Sequence, residues 1–427
     1  MSNTPLHSIS QPASLALASF LAMGLALSAC QPARDPNTLR FSTWGSPEEM
    51  AILTPLVKEF QQLHPEIKLE VMHIPDKYFQ KLHTLIAANL SPDVVFVNNI
   101  QFPIYASNKA FLPLEKYLSA SKVLKADDFY SQTLDGFRLE GQLQGIPRDA
   151  SNMVVFYNQE LFDKAKVAYP KANWTMQEMI KTAQALTLDA NKDGKPEQFG
   201  VSFQNHFLFW TPYLWSMGGD FFSADRKKAL LESPEALAGI QMHADLRHKY
   251  HVAPTAAEAG SSTMSQLFVQ GKLAMVINGR WAVPLYRQNL KFKWNIAPFP
   301  SGPAGSVVDA DASGWVISRQ SKHPDQAWKL IEFLAARKAS EAFTQPGLII
   351  PARKDVAQSA IFLNPDQPPK DAVYFLDALK TGKPTPAIPY WNEMLEVLNR
   401  SLEPVWDGRM PASEALKGIN KQIEPLL

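Results

Sequence analysis

Pro92-Asp93-Val94-Val95-Phe96-Val97-Asn98-Asn99 is a short apolar run bounded by a proline and an asparagine pair, the pattern of a fully buried strand. Working back toward the amino terminus, Tyr78, Leu82, Leu85 and Ile86 mark a helix, and Ile67, Leu69 and Val71 alternate as a strand. Met50, Leu53, Leu56, Val57, Phe60 and Leu63 recur at three and four residues and predict an amphipathic helix, preceded by a short strand over Thr38 to Thr43. Strand, helix, strand, helix, strand implies an open α/β sheet. Ligands in such sheets sit beyond the carboxyl ends of strands, which puts Trp44-Gly45 and Asn98-Asn99 beside a cleft.

Upstream, Leu15 to Leu27 is an uncharged apolar run, shorter than the roughly 20 residues a bilayer requires, and it ends in Leu27-Ser28-Ala29-Cys30. That ending resembles a bacterial lipobox, in which the cysteine receives a diacylglyceryl group after cleavage. Residues 1–29 then read as a signal peptide and 30–37, polar and proline-bearing, as a lipidated linker. The residues before Leu15 carry no Lys or Arg, a departure from the usual basic start of such a leader. The expected location is outside the cytoplasm, lipid-anchored at a periplasmic face or cell surface. Cys30 is the only cysteine, so no internal disulfide is available. The formal net charge is +1 with no clustering of Lys or Arg, which argues against nucleic acid as a partner. About four hundred mature residues exceed what one hydrophobic core serves, so two lobes are expected.

Four segments, the opening one among them, carry a family resemblance. The run around Val94, the segment Gly145-Ile146-Pro147 with Val155-Phe156-Tyr157-Asn158-Gln159-Glu160-Leu161-Phe162, then Met275-Val276-Ile277-Asn278-Gly279-Arg280-Trp281, and Gly314-Trp315-Val316-Ile317-Ser318 before Pro324-Asp325-Gln326-Ala327-Trp328 follow one another in register. Together they resemble the extracellular solute-binding proteins of sugar ABC importers, of the maltose/maltodextrin-binding kind. The resemblance implies an α/β, two-lobed periplasmic-binding-protein fold of type II, two open sheets joined by a hinge. Lobe 1 would take 38–149 and 313–375, and lobe 2 would take 153–309 and 378–427. Chain crossings are expected near Asp149 to Met153, near Asp309 to Gly314, and between Phe375 and Pro389. The implied partners are a sugar and the transmembrane subunits of an ABC permease.

A sugar ring has an apolar C–H face and a polar rim, so its binder needs aromatic planes beside amide, carboxylate and guanidinium groups. Of ten tryptophans, Trp44, Trp210, Trp281 and Trp391 are candidates for stacking, the last two because they match positions where the family places such rings. Trp174, Trp294, Trp328 and Trp406 read as core. Asn98 and Asn99 each offer a donor and an acceptor, matching a sugar hydroxyl that does both, the alternative being a turn after a strand. Arg148, Asp149 and Asn152 lie at the expected first crossing; Arg148 either hydrogen-bonds a sugar, clamps a carboxylate, or forms a hinge ion pair with Asp149. Asp311 and Gly314 lie on the second crossing, where glycine permits close backbone approach. Arg280 and Arg353 are further candidates.

Asp189-Ala190-Asn191-Lys192-Asp193-Gly194 fits the opening of a calcium loop, but position twelve is Gly200 rather than glutamate. Asp189, Asn191, Asp193 and Glu197 therefore read either as a structural calcium site or as an Asx-type turn. No cofactor is otherwise required. His243, His248 and His251 read as the polar end of a helix rather than a zinc site. No nucleophile elbow, zinc-protease or phosphate-loop motif is present. The favoured reading is an oligosaccharide receptor. The alternatives are a receptor for a glycerol phosphodiester or uronate, a carbohydrate-active enzyme, and a sensor subunit.

Overall fold

Val94, Val95, Phe96 and Val97 are fully buried because their strand lies inside a six-stranded sheet. The computed structural model describes Asp35 and residues 37–427, of which 39–427 form one compact unit. The leader and Cys30 lie outside the described residues. The strands are β1 (Thr38–Thr43), β2 (Lys68–His73), β3 (Val94–Asn98), the small hairpin β4 (Arg138–Leu139) and β5 (Gln142–Leu143), β6 (Gly145–Ser151), β7 (Met153–Asn158), β8 (Phe199–Ser202), β9 (Leu273–Gly279), β10 (Trp294–Ala297), β11 (Asp311–Ile317) and β12 (Ile350–Pro351).

The first sheet has the order β12-β6-β11-β3-β1-β2. β3 runs parallel to β1, with Phe41 opposite Val94, and antiparallel to β11, with Phe96 opposite Trp315. Helix Pro47–Leu63 starts where the Ser46 hydroxyl accepts the Glu49 N–H at 3.3 Å, and Glu48 and Glu49 in its first turn complement the helix dipole. Its buried Leu53, Leu56, Val57 and Phe60 pack on this sheet's core, as the spacing predicts. The second sheet, β10-β7-β9-β8, is buried throughout β7 and β9, which explains their unbroken apolar sequence.

Only Asn152 separates β6 in the first sheet from β7 in the second, so the first crossing is a direct step between sheets. The second crossing runs through Asp309 into β11. Asp309 Oδ1 accepts the Met153 N–H at 3.0 Å and Asp309 pairs as a bridge with Lys383, tying neighbouring segments together. A third apolar cluster joins helices Phe207–Ser216, Pro234–His248 and Trp391–Trp406.

One expected division is corrected. Ala352 still belongs to the first core, whereas Phe362, Ala372 and Phe375 pack into the second. Asn295 in β10 binds the Asp371 carboxylate at 2.6 Å, and Arg287 donates to the Pro368 carbonyl at 2.8 Å. The chain therefore returns to the second lobe before Phe362 rather than between Phe375 and Pro389, because Phe362 and Phe375 cover apolar surface there. Among the described residues no helix is long and apolar enough to cross a membrane.

Candidate ligand-binding site

A cavity of about 280 Å³ lies where the crossings meet, lined from the first lobe by Trp44, Glu49, Asn98 and Arg148 and from the second by Leu208, Arg280 and Trp281. Trp44 leaves the end of β1 and is held edge-on by Tyr78, with Phe96 4.3 Å away, so its half-buried ring is fixed before any ligand arrives. Trp281 follows β9 and is 41% exposed, so its ring offers a free face. Its indole lies against Gly279, where an added Cβ would meet the ring at 2.0 Å. Leu348, Ile349 and Ile350 add apolar wall.

The polar side is a three-residue ion-pair set. The Arg148 guanidinium contacts Glu49 and the Asp149 carboxylate, the latter at 2.7 Å, and lies 4.3 Å over the Phe96 ring. The paired carboxylates hold Arg148 charged despite burial. Burial pushes the Asp149 carboxyl up, against the pull of Arg148. Geometry favours the ionised carboxylate, since Asp149 accepts from Arg148 on Oδ2 and from the Ser313 N–H at 2.9 Å on Oδ1. Arg280 is different: it is 2% exposed, none of its guanidinium nitrogens has a hydrogen-bond partner among the described residues, and it lies between Phe362 and Phe375. Burial, followed by the neighbouring Arg287, disfavours its charge.

Of the residues singled out from sequence, Trp44, Asn98, Arg148, Trp281 and Asp311 come together around this cavity. Asp311 does so with its carboxylate already engaged by Asn99 and Thr385. Five others are placed elsewhere. Asn99 donates to Asp311 at 2.9 Å and accepts the Ala312 N–H, so it is a buried splice of β3 to β11. Asn152 is fully buried and donates to the Phe375 carbonyl at 2.8 Å. Gly314 does permit a close approach, but to the neighbouring strand: a Cβ there would lie 2.3 Å from the Ile146 carbonyl. Trp210 and Trp391 are fully buried in the third cluster, where Phe221 packs between them at 5.5 and 5.6 Å. Helix-on-helix packing there leaves neither ring a free face.

Glu49 and Leu208 were not anticipated. Glu49 had a signal, since it follows the β1 carboxyl end in the first turn of the next helix; Leu208 had none. Arg353 is structural, bound to Asp128 and Asp355. His243 packs on Phe203 and Trp406 and contacts the Gln204 carbonyl, while His248 contacts the Trp406 carbonyl. In the acidic loop, Asp189 accepts the N–H groups of Asp193 and Gly194, Asn191 accepts that of Asp193, and Asp193 accepts that of Lys195. Glu197 accepts the Ala190 N–H, so all four side chains accept backbone N–H groups of the loop, Asn191 and Asp193 in Asx-type turns. Among the described residues no His, Cys, Asp and Glu side chains converge as a metal site.

Residues 44–341 match the family model described as bacterial extracellular solute-binding protein. The maltodextrin-binding protein MdxE of Bacillus subtilis is 24% identical, covering 95% of this chain and 96% of its own. The galactooligosaccharide-binding protein of the same organism is 22% identical over 92% of each. Among solved structures, the ABC substrate-binding protein Lmo0181 from Listeria monocytogenes, in complex with cycloalternan, superposes with a TM-score of 0.83 at 26% identity over 91% of this chain and 98% of that one. Maltose-bound MalE3 of T. maritima superposes at 0.79 with 22% identity, again over 91% of this chain and 100% of its own, and shares the fold. These likenesses bear out the two-lobed α/β architecture, and the match over most of its length places the chain in the bacterial extracellular solute-binding protein family.

Proposed function

We propose that the chain is the substrate-binding lipoprotein of an ABC importer, exported, held to a membrane by a lipid on Cys30, and charged with capturing a sugar for the permease. The observation that carries the sugar is the cavity wall: Trp44 from one lobe and Trp281 from the other present aromatic surface beside the Arg148, Glu49 and Asp149 set. Aromatic planes suit the C–H face of a pyranose, and the charged hydrogen-bonding groups suit its hydroxyls. Because the two rings belong to different lobes, both engage one ligand only when the lobes are closed, so the ligand draws the hinge equilibrium toward closure. The closed form then offers the rims of both lobes to the permease.

An anionic ligand would depend on Arg280, whose guanidinium also lines the cavity but whose charge is disfavoured by burial. Arg148, the natural clamp for a uronate or phosphodiester, is already matched by two carboxylates. The test is a titration of the soluble chain from Arg34 onward with neutral oligosaccharides, uronates and glycerol phosphodiesters, followed by tryptophan fluorescence and by product analysis. Saturable change without turnover supports the receptor. Turnover moves the reading to an enzyme, and a response confined to anions moves it to the other solute class.

A further inference from the structure

The cleft lies beyond the carboxyl ends of β1 and β3, and another hollow lies at the opposite edge of the same sheet. β1 and β3 run parallel and β11 runs against them, so their starts and the end of β11 share that edge, one strand length or roughly 20 Å from Trp44 and Asn98. There the Asp93 N–H donates to the Arg40 carbonyl and the Ser318 N–H donates to the Asp93 carbonyl, each at 2.9 Å. Arg319, next in the chain, therefore lies about two strand spacings, ~10 Å, from where β1 begins. A cavity of about 430 Å³ opens at this place, lined by the exposed His83, Lys109 and Arg319 and by the more buried Ile86, Ile104 and Tyr105. We propose that it seats the phosphate head group of an anionic membrane phospholipid, so that the tethered receptor rests on the bilayer by this edge of its first lobe. The inference rests on the lipid anchor proposed above for Cys30.

Charge, shape and tether length favour the same occupant. No Asp or Glu lines the cavity, so its basic groups face an incoming anion unopposed. Arg319 is aimed by two backbone carbonyls, its Nε donating to Lys109 at 2.6 Å and its Nη2 to Phe111 at 2.9 Å, while Nη1 has no hydrogen-bond partner among the described residues. A guanidinium held in this way is ready for a phosphate oxygen, and Lys109 adds a mobile charge beside it. The apolar wall suits the glycerol and first methylenes of a lipid, which a free anion lacks. Residues 30–37 span at most about 29 Å fully extended, so a lipid on Cys30 keeps this edge of the sheet close to the membrane surface. Tethering raises the effective concentration of head groups at the cavity, and a weak intrinsic affinity then suffices.

The test is calorimetric titration of the soluble chain from Arg34 onward with dispersed dihexanoyl phosphatidylglycerol, dihexanoyl phosphatidylcholine and inorganic phosphate. The proteins are the wild type, Lys109→Asn, and Lys109→Asn combined with His83→Gln. Asparagine tolerates the left-handed backbone of Lys109, φ 55°, and both positions are exposed, so the variants should fold, which thermal melting checks. Wild type is expected to bind phosphatidylglycerol saturably and about tenfold more tightly than either other probe. Lys109→Asn is expected to lose about fivefold or more and the double variant more still, the worth of charged hydrogen bonds, with sugar affinity unchanged. On vesicles of phosphatidylcholine with phosphatidylglycerol, the lipidated full chain should show slowed amide exchange around Ile104 to Ala110, and on phosphatidylcholine alone it should not. Equal affinity for the two lipids, equal affinity of wild type and double variant, or inorganic phosphate bound as tightly as phosphatidylglycerol overturns the head-group site. The anchor is read separately by mass spectrometry of the membrane-extracted protein: an unmodified Cys30 overturns the parent reading, and this one with it.

Discussion

Asp311 binds Thr385 twice: the backbone N–H of Thr385 reaches Oδ1 at 2.8 Å and its hydroxyl reaches Oδ2 at 2.6 Å, with both residues buried. Oδ1 also accepts from Asn99 at 2.9 Å, so one carboxylate joins the end of β3, the start of β11 and the segment before the last long helix. Two residues earlier, Asp309 accepts the Met153 N–H and lies 3.3 Å from the Ser151 hydroxyl, gripping the first crossing on both sides of Asn152. The hinge is thus fastened by two neighbouring buried carboxylates.

That arrangement makes stability depend on pH in a stated direction. Burial, reinforced by the nearby Asp311 charge, pushes the Asp309 carboxyl up from 3.8 to about 8. A carboxyl whose folded pKa exceeds its unfolded value binds a proton on folding. Its contribution is fully present below the unfolded value and is lost as pH rises through the folded one, with a slope of at most about 1.4 kcal/mol per pH unit. Thermal unfolding between pH 4.5 and 8 should show wild type losing its advantage over Asp309→Asn as pH rises. Parallel curves for the two proteins would contradict a neutral Asp309 in the fold.

Removing the cation from the cleft tests the opposite case. Arg148→Met leaves Glu49 and Asp149 as buried like charges, and breaking such a set costs about 3–5 kcal/mol. The double variant Arg148→Met with Glu49→Gln should recover part of that loss, because it removes the repulsion. Denaturant unfolding of the single and double variants reads the difference. An unchanged Arg148→Met would mean that the pair is solvated and worth little.

The strands and the two-lobed architecture were legible, because burial imposes period and run length as in β3 and β7, but the return of the chain to the second lobe before Phe362 was not. Side-chain destination was not. Trp281 and Trp391 occupy equally suggestive local sequences, yet one caps a strand facing the cleft and the other closes a three-helix cluster that no local pattern announces. Asn99 read as a ligand hydrogen-bonding residue or a turn and Gly314 as a place of close approach to a ligand, but their partners are Asp311 and the Ile146 carbonyl, 212 positions along the chain in the first case. Tertiary pairings of that range leave no trace in spacing.

The two tryptophans therefore separate by experiment. Trp281→Ala should weaken sugar binding by about tenfold to a hundredfold while changing stability little, as for an exposed anchor. Trp391→Ala removes a fully buried ring and should cost about 3–5 kcal/mol of unfolding free energy. Gly279→Ala should mimic Trp281→Ala, since the new methyl displaces the indole. Fluorescence titration alongside calorimetric melting distinguishes these outcomes, and a Trp391→Ala protein of wild-type stability would refute its place in the core.

Arg280 gives the sharpest contrast between stability and use. A guanidinium that is 2% exposed and has no hydrogen-bond partner among the described residues is stabilised chiefly by the Phe362 ring, 4.1 Å from its Cζ. A cation–π contact is worth about 2 kcal/mol when desolvated, less than the several kcal/mol that removing an ion from water costs. Methionine has nearly the reach of arginine without the charge, and it packs well on aromatic rings. Arg280→Met should therefore raise the unfolding free energy of the ligand-free chain by about 1–4 kcal/mol. Because Arg280 also lines the cavity, the same substitution should lower sugar affinity, exchanging function for stability. Paired melting and binding measurements decide it: a destabilised Arg280→Met protein would show that the guanidinium is solvated or partnered in solution.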